Sequence, residues 1–141
     1  MQFTHLLFTT LMAATALATP LLPRADQQVS GDEVTDTTCT NPSAAIDTHD
    51  TNVAILSICG GIAGSIQKCG GAPSSTTGES GTARFDLAAT DADAGARINV
   101  SKGRWERCVK AAQQTCPQGE FESTCVGGAT SGDVKFSLSQ A

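Results

Sequence analysis

The chain has 141 residues, a formal charge of −5, six cysteines, one tryptophan and no tyrosine, a length that fits a single small domain. The acidity is uneven, because Ala25–Asp50 holds six acids and no Lys or Arg, whereas from Thr51 onward eight acids meet eight bases. With no basic stripe to hold a phosphate backbone or an anionic lipid surface, nucleic-acid and membrane partners are disfavoured.

Leu6 to Ala18 is apolar and closes on Ala16-Leu17-Ala18, the small-x-small pattern that signal peptidase accepts. Residues 1–18 are therefore expected to be a cleaved signal peptide, and the protein to be secreted. A membrane anchor needs about 18 or more apolar residues, and this stretch is shorter and interrupted by Thr9, Thr10 and Thr15. Residues 19–38 are expected to be an acidic flexible arm or pro-segment, with a second cut possible after Arg24. The domain proper is expected over 39–141.

Cys39, Cys59, Cys69, Cys108, Cys116 and Cys125 all follow the leader. An even count in an exported chain predicts three disulfides, and the absence of close Cys pairs with His argues against a metal site. Of the 15 pairings possible for six cysteines, the expectation is Cys116 with Cys125, across the turn Pro117–Glu120. Cys59 with Cys108 would tie the two helices, and Cys39 with Cys69 would pin the arm.

Asp50 or Thr51 can cap a first helix over about Thr51–Cys59, with Val53, Leu56, Cys59 and Ile66 on one face and Gly60-Gly61 interrupting it. Gly70–Thr82 has no large apolar residue and reads as a long surface loop. Thr82–Ala89 and Ala96–Val100 alternate in polarity, which predicts two strands joined as an antiparallel hairpin through the turn formers Thr90–Gly95. Asp91-x-Asp93-x-Gly95 imitates the start of a calcium loop, but its twelfth position is Lys102, not Glu, so a plain turn is expected.

Ser101 caps a helix over Lys102–Cys116 that carries Trp105, Cys108, Val109, Ala112 and Cys116 on one stripe. Pro117 and Gly119 end it. Phe121–Val126 and Asp133–Ser139 supply two more strands. The expected fold class is α+β, a small disulfide-stapled domain with an antiparallel sheet of about four strands and two helices. Periodicity sends Phe85, Trp105 and Phe136 to the core.

Chemistry for catalysis is thin. His49 is the only histidine after the leader, and general acid–base work relies on histidine first. No Gly-x-Ser-x-Gly elbow occurs, and Gly60-Gly61-x-x-Gly64 follows a helix where a phosphate loop would follow a strand. The carboxylates Asp86, Asp91, Asp93, Glu106, Glu120 and Glu122 form no pattern that sets a pair apart. The chain reads as a non-enzyme without catalytic residue, metal or cofactor. Asn99-Val100-Ser101 is an N-glycosylation sequon, with Asn99 outward, whereas Asn41-Pro42-Ser43 is blocked by its proline.

The segments Ile55–Gly61 (ILSICGG), Lys68–Gly71 (KCGG), Gly103–Cys108 (GRWERC) with Cys116, Cys125–Gly128 (CVGG) and Gly132–Leu138 (GDVKFSL) give the chain a further character. Together they resemble the Y3-like glycan-binding domain of secreted fungal proteins, over about Thr38–Leu138. The resemblance implies an extracellular, metal-free, dimeric lectin for glycans with N-acetylhexosamine and fucose features. Its partners would be extracellular glycans, with a homodimer possible. Since the aromatics point inward, candidate ligand contacts are the outward Arg84, Asp86 and Arg97 of the hairpin and Arg104 at the helix start, whose forks and carboxylate suit hydroxyl and acetamide groups. A secreted, cysteine-rich effector or toxin-like protein that recognises a host or competitor protein is the alternative, through a sheet edge or the Gly70–Thr82 loop.

Overall fold

A computed structural model describes residues 33–62, 69–71 and 73–141. The expected signal peptide and residues 19–32 of the arm lie outside the described residues, as do Gly64 and Ile66. Strands β1 (Val34–Asn41), β2 (Ser75–Ser80), β3 (Ala83–Ala89), β4 (Glu120–Cys125) and β5 (Val134–Gln140) are joined by helices α1 (Thr48–Ser57) and α2 (Lys102–Thr115). The strands form one antiparallel sheet in the order β1-β4-β5-β3-β2. Both helices pack on the same face of it, so the fold is α+β, with five strands where about four are expected.

α1 begins one turn earlier than the periodicity indicates. Its cap is Asp47, whose Oδ1 accepts the N–H groups of His49 at 2.7 Å and Asp50 at 3.2 Å. It ends where Cys59, Gly60 and Gly61 take φ of 55°, 74° and 96° in succession. Cys59 then donates its N–H to Thr76 Oγ1 at 2.8 Å, sideways to β2. In a continued helix that N–H would bond the Ile55 carbonyl. The acceptor left open is taken by the indole Nε1–H of Trp105, at 2.9 Å.

Trp105 is fully buried. Its ring meets Phe85 and Phe136 edge-on at centroid distances of 5.3 and 5.0 Å, and Phe121 meets Phe136 in the same way at 6.0 Å. Such pairs add to the burial term because a ring edge is positive and a face negative. α2 supplies the tryptophan as its stripe predicts, starting at the Ser101 cap, whose Oγ accepts the Arg104 N–H at 3.2 Å.

Two expected elements are corrected. Half of the expected Gly70–Thr82 loop is strand β2, paired with β3 from Ser75↔Ala88 to Ser80↔Ala83. Its inward positions Thr76, Gly78 and Ser80 carry no large apolar side chain because the backbone of α1 lies directly on them. A Cβ at Gly78 would stand 2.4 Å from the Ala54 carbonyl oxygen. Helix and strand meet too closely there for hydrophobic periodicity to be written into the sequence. The expected hairpin partner of β3, Ala96–Val100, is not a strand. Its alternation is real, since Ala96, Ile98 and Val100 are buried, but its hydrogen bonds go to loops: Ile98 N–H to Pro73, Asn99 N–H to Gly128, and Val100 C=O from Cys69.

The arm is shorter than expected, because Val34–Thr38 belong to β1, with Val34 opposite Cys125 and Thr38 opposite Glu122. What holds this acid-rich, apolar-poor segment is a ladder to β4 and a covalent tie, neither of which leaves a local hydrophobic pattern. All six cysteines are bridged, but as Cys39–Cys116, Cys59–Cys69 and Cys108–Cys125, with Cα separations of 5.5, 5.6 and 5.5 Å. The three expected pairings are thus corrected. Pro117–Gly119 does reverse the chain beside the end of α2, but β4 then runs back along the helix and carries Cys125 to Cys108, two turns before Cys116. Cys116 is left next to β1, where Cys39 takes it. Loop closure in the unfolded chain makes Cys39–Cys116, 77 residues apart, worth about 4 to 5 kcal/mol and each shorter loop about 3.

Replacing Trp105 by Ala should cost about 3 to 5 kcal/mol in chemical denaturation, because the loss combines a cavity with an orphaned Ile55 carbonyl. Gly78→Ala should cost about 1 to 3 kcal/mol, the range for overpacking. An unchanged melting temperature for Gly78→Ala would show that α1 does not press on β2.

Candidate functional site

The helices cover one face of the sheet and leave the other open. On that outer face the alternation of each strand places short polar or charged side chains. One cross-strand row reads Thr77, Asp86, Ser137, Glu122, Thr38, and the next reads Ser75, Ala88, Lys135, Thr124, Thr35. Neighbouring positions in a row stand about 4.8 Å apart, the strand spacing. A register shift between Thr35 and Thr38, with Asp36 at φ 56°, bends β1 at the rim. The result is a cleft of about 520 Å³ lined by Asp36, Thr77, Asp86, Glu122, Thr124 and Lys135 among others. A smaller cleft of about 290 Å³ lies between the 44–51 segment and the end of α2, with Gln113 and Gln118 in its wall.

Arg84 and Asp86, both candidate contacts from the sequence, do come together. The Arg84 guanidinium grips Asp86 in a fork, Nε to Oδ2 at 2.9 Å and Nη2 to Oδ1 at 3.1 Å. Thr77 donates its hydroxyl to Oδ1 at 2.9 Å, and Glu79 stands 3.6 Å from Arg84. The Arg84 hydrogen bonds hold the Asp86 carboxyl below its usual range against the opposing effect of desolvation. The same fork raises Arg84. Asp86 is therefore a fixed anion with its lone pairs partly spoken for, suited to accept from a ligand hydroxyl and unsuited to donate a proton.

The other two candidate contacts do not converge on this face. Arg97 lies in the 96–100 segment, where its N–H is accepted by Thr130 Oγ1 at 3.0 Å, at the end of the sheet away from Arg84. The convergence expected from a hairpin fails with the hairpin. Arg104 is half-buried, with Nη2 donating to the Val126 carbonyl and Nε enclosed without a partner, so its fork ties the start of α2 to the β4–β5 turn. Asn99, the sequon residue, is half-exposed in the same 96–100 segment and is likewise off the open face. His49 is exposed in the first turn of α1.

Asp36, Thr77, Glu122, Thr124 and Lys135 were missed as site residues. Their outward phase was readable in β4 and β5, but the strand order that makes them neighbours was not. Among the described residues no group of three or more His, Cys, Asp or Glu is placed to hold a metal ion, and no helix is long and apolar enough to cross a membrane. Comparisons with protein-family models, with curated proteins and with solved structures yield no match.

A second carboxylate bears on stability. Asp50 accepts both the N–H and the hydroxyl of Thr82, at 2.8 and 3.0 Å, locking the β2–β3 turn onto α1. These bonds, the backbone one foremost, lower its pKa. A carboxyl depressed in the folded state stabilises the fold above the unfolded value of about 3.9, and that contribution disappears as pH falls through the folded pKa. Asp50→Asn should lower the melting temperature at neutral pH, and its deficit against the parent protein should shrink below about pH 4. A deficit that does not change with pH would rule out the carboxylate as its source.

Proposed function

We propose that the chain is an exported, non-enzymatic glycan-binding protein whose ligand lies in the cleft on the open face of the sheet. Three disulfides suit an oxidising compartment. The observation that carries the reading is a cleft walled by hydroxyl, carboxylate and ammonium groups at regular strand spacing. Such a wall offers the alternating donors and acceptors that a polyol needs. The resemblance to Y3-like domains supports the same reading.

The aromatics Phe85, Trp105, Phe121 and Phe136 are all at most 3% exposed, so recognition in this cleft works by hydrogen bonding and not by stacking of a ring on a sugar face. A ligand hydroxyl shared between Arg84 and Asp86 would meet a donor and an acceptor already fixed by each other, with little side-chain freedom left to lose.

The alternative, capture of a partner protein by strand addition, has one observation in its favour: β1 and β2 are edge strands. The bulge at Asp36 interrupts the β1 edge, a device by which natural sheets discourage pairing. The cleft is therefore the stronger reading.

A glycan array followed by calorimetry on the leading ligand tests it. Arg84→Ala and Asp86→Ala should each weaken binding by about tenfold or more, the value of a charge-assisted hydrogen bond of roughly 1.5 to 3 kcal/mol. Arg97→Ala should leave binding unchanged, and EDTA should have no effect. Full affinity in both the Arg84 and the Asp86 variant, or loss of binding with EDTA, would overturn the proposal. Sedimentation of the free and ligand-bound chain tests the homodimer that the resemblance implies.

A further inference from the structure

Asn99-Val100-Ser101 is a sequon that the cleft does not use. Its segment alternates, with Arg97 and Ser101 exposed and Asn99 half-exposed, while Ala96, Ile98 and Val100 are buried. Asn99 therefore faces outward, as the acceptor of an N-glycan must. Two neighbouring loops clamp the backbone around it. On one side the Ile98 N–H bonds the Pro73 carbonyl at 2.8 Å, and the Ile98 and Val100 carbonyls accept from Gly71 and Cys69 at 3.1 Å each. On the other, the Asn99 N–H bonds the Gly128 carbonyl and the Arg97 carbonyl accepts from Thr130, both at 2.8 Å. The Ser101 hydroxyl, which completes the sequon, is equally committed, since it accepts the Arg104 N–H at 3.2 Å as the cap of α2. The folded chain shows the Asn99 amide to solvent but holds back the movable backbone and free hydroxyl that a transferase must take up with it.

Strand order supplies the interval in which the site is open. In the order β1-β4-β5-β3-β2, β1 reaches β3 only through β4 and β5, the last two strands in the chain. Gly128 and Thr130, which clamp the segment, lie between those two strands. Until β4 and β5 have emerged the sheet cannot close, and Asn99 waits in an unpacked chain. Such non-local pairing is slow even then, because loop closure has to precede the contacts that reward it.

We propose that Asn99 carries an N-linked glycan, attached to the exported chain before the domain folds. In the transfer, Asn99 Nδ2 forms a bond to the anomeric carbon of an oligosaccharide carried on a lipid diphosphate. The bond from that carbon to the diphosphate oxygen breaks, the lipid diphosphate leaves with the electron pair, and one amide proton passes to a base of the transferase. Nothing is oxidised or reduced. Folding then fixes the glycan beside the start of α2, off the open face and away from the Arg84–Asp86 fork. Export is required for this, and a saccharide in the cleft is not.

The test produces the full 141-residue chain in a eukaryotic secreting cell and follows the intact mass and peptide map of the secreted protein before and after an N-glycan amidase. The parent protein should lose the mass of one glycan, with an aspartate left in place of Asn99, and Asn99→Gln should lose nothing. Ser101→Asp keeps a capping side chain but destroys the sequon. It should be secreted without the glycan and melt with the amidase-treated parent, whereas Ser101→Thr should keep the glycan. Chain refolded and oxidised after bacterial expression should not be modified by a solubilised transferase supplied with lipid-linked oligosaccharide, and the same chain reduced and alkylated should be. A secreted parent protein without a glycan, or a glycan that survives Asn99→Gln, overturns the inference and leaves the glycan-binding reading standing. Retention of the unmodified chain inside the cell overturns export and this inference together. Equal modification of the folded and the reduced chain overturns the order of events.

Discussion

One hydrogen bond determines how the two helices meet. A buried indole must place its N–H, and a helix that has ended must place its last carbonyls. Trp105 and Ile55 solve both needs at once, because α1 stops one residue before it would have used the Ile55 carbonyl itself. The stop in turn requires a left-handed run at Cys59, Gly60 and Gly61, and Cys59 is a residue that does not favour it. It is held there by the bridge to Cys69 and by its N–H to Thr76. The glycine pair, a short disulfide loop and the edge strand β2 are thus all conditions for seating one aromatic ring.

From that seat the layers follow. Phe85 of β3 and Phe136 of β5 meet the indole on the helical side, which fixes the phase of both strands and forces Arg84, Asp86, Lys135 and Ser137 to the opposite face. A slip of one residue in either strand would exchange core and cleft. The cleft is polar because the core on the other side of the same strands is aromatic.

Legibility in the sequence followed the range of the interactions. Lys102–Thr115 and Val134–Gln140 were readable to within a residue because their apolar stripes and caps are local. β2 was not, since it packs a glycine against helix backbone and so shows no apolar alternation. Ala96–Val100 displayed a strand's burial without a strand's partners, and the nearest-neighbour hairpin inferred from it moved Arg97 to the wrong face. The bridges were misassigned for the same reason: where β4 carries Cys125 depends on its run alongside α2, a long-range fact. Of the site, the Arg84–Asp86 pair could be read from one strand. Glu122, Thr124 and Asp36 needed the order of four strands.

The bridges Cys39–Cys116 and Cys108–Cys125 join strands to α2, and Cys59–Cys69 closes the turn after α1. Among the described residues the three bridges and the large apolar side chains of the strands sit on the helical side, while the open face is made mostly of exposed polar side chains. Stability is carried by one side of these strands, and the face proposed for binding is the other. A lineage, or a laboratory library, can rewrite the outward positions of β3, β4 and β5 almost freely, changing what the surface meets while the scaffold stays above its folding threshold. The domain is in that respect a rigid printing plate whose type can be reset.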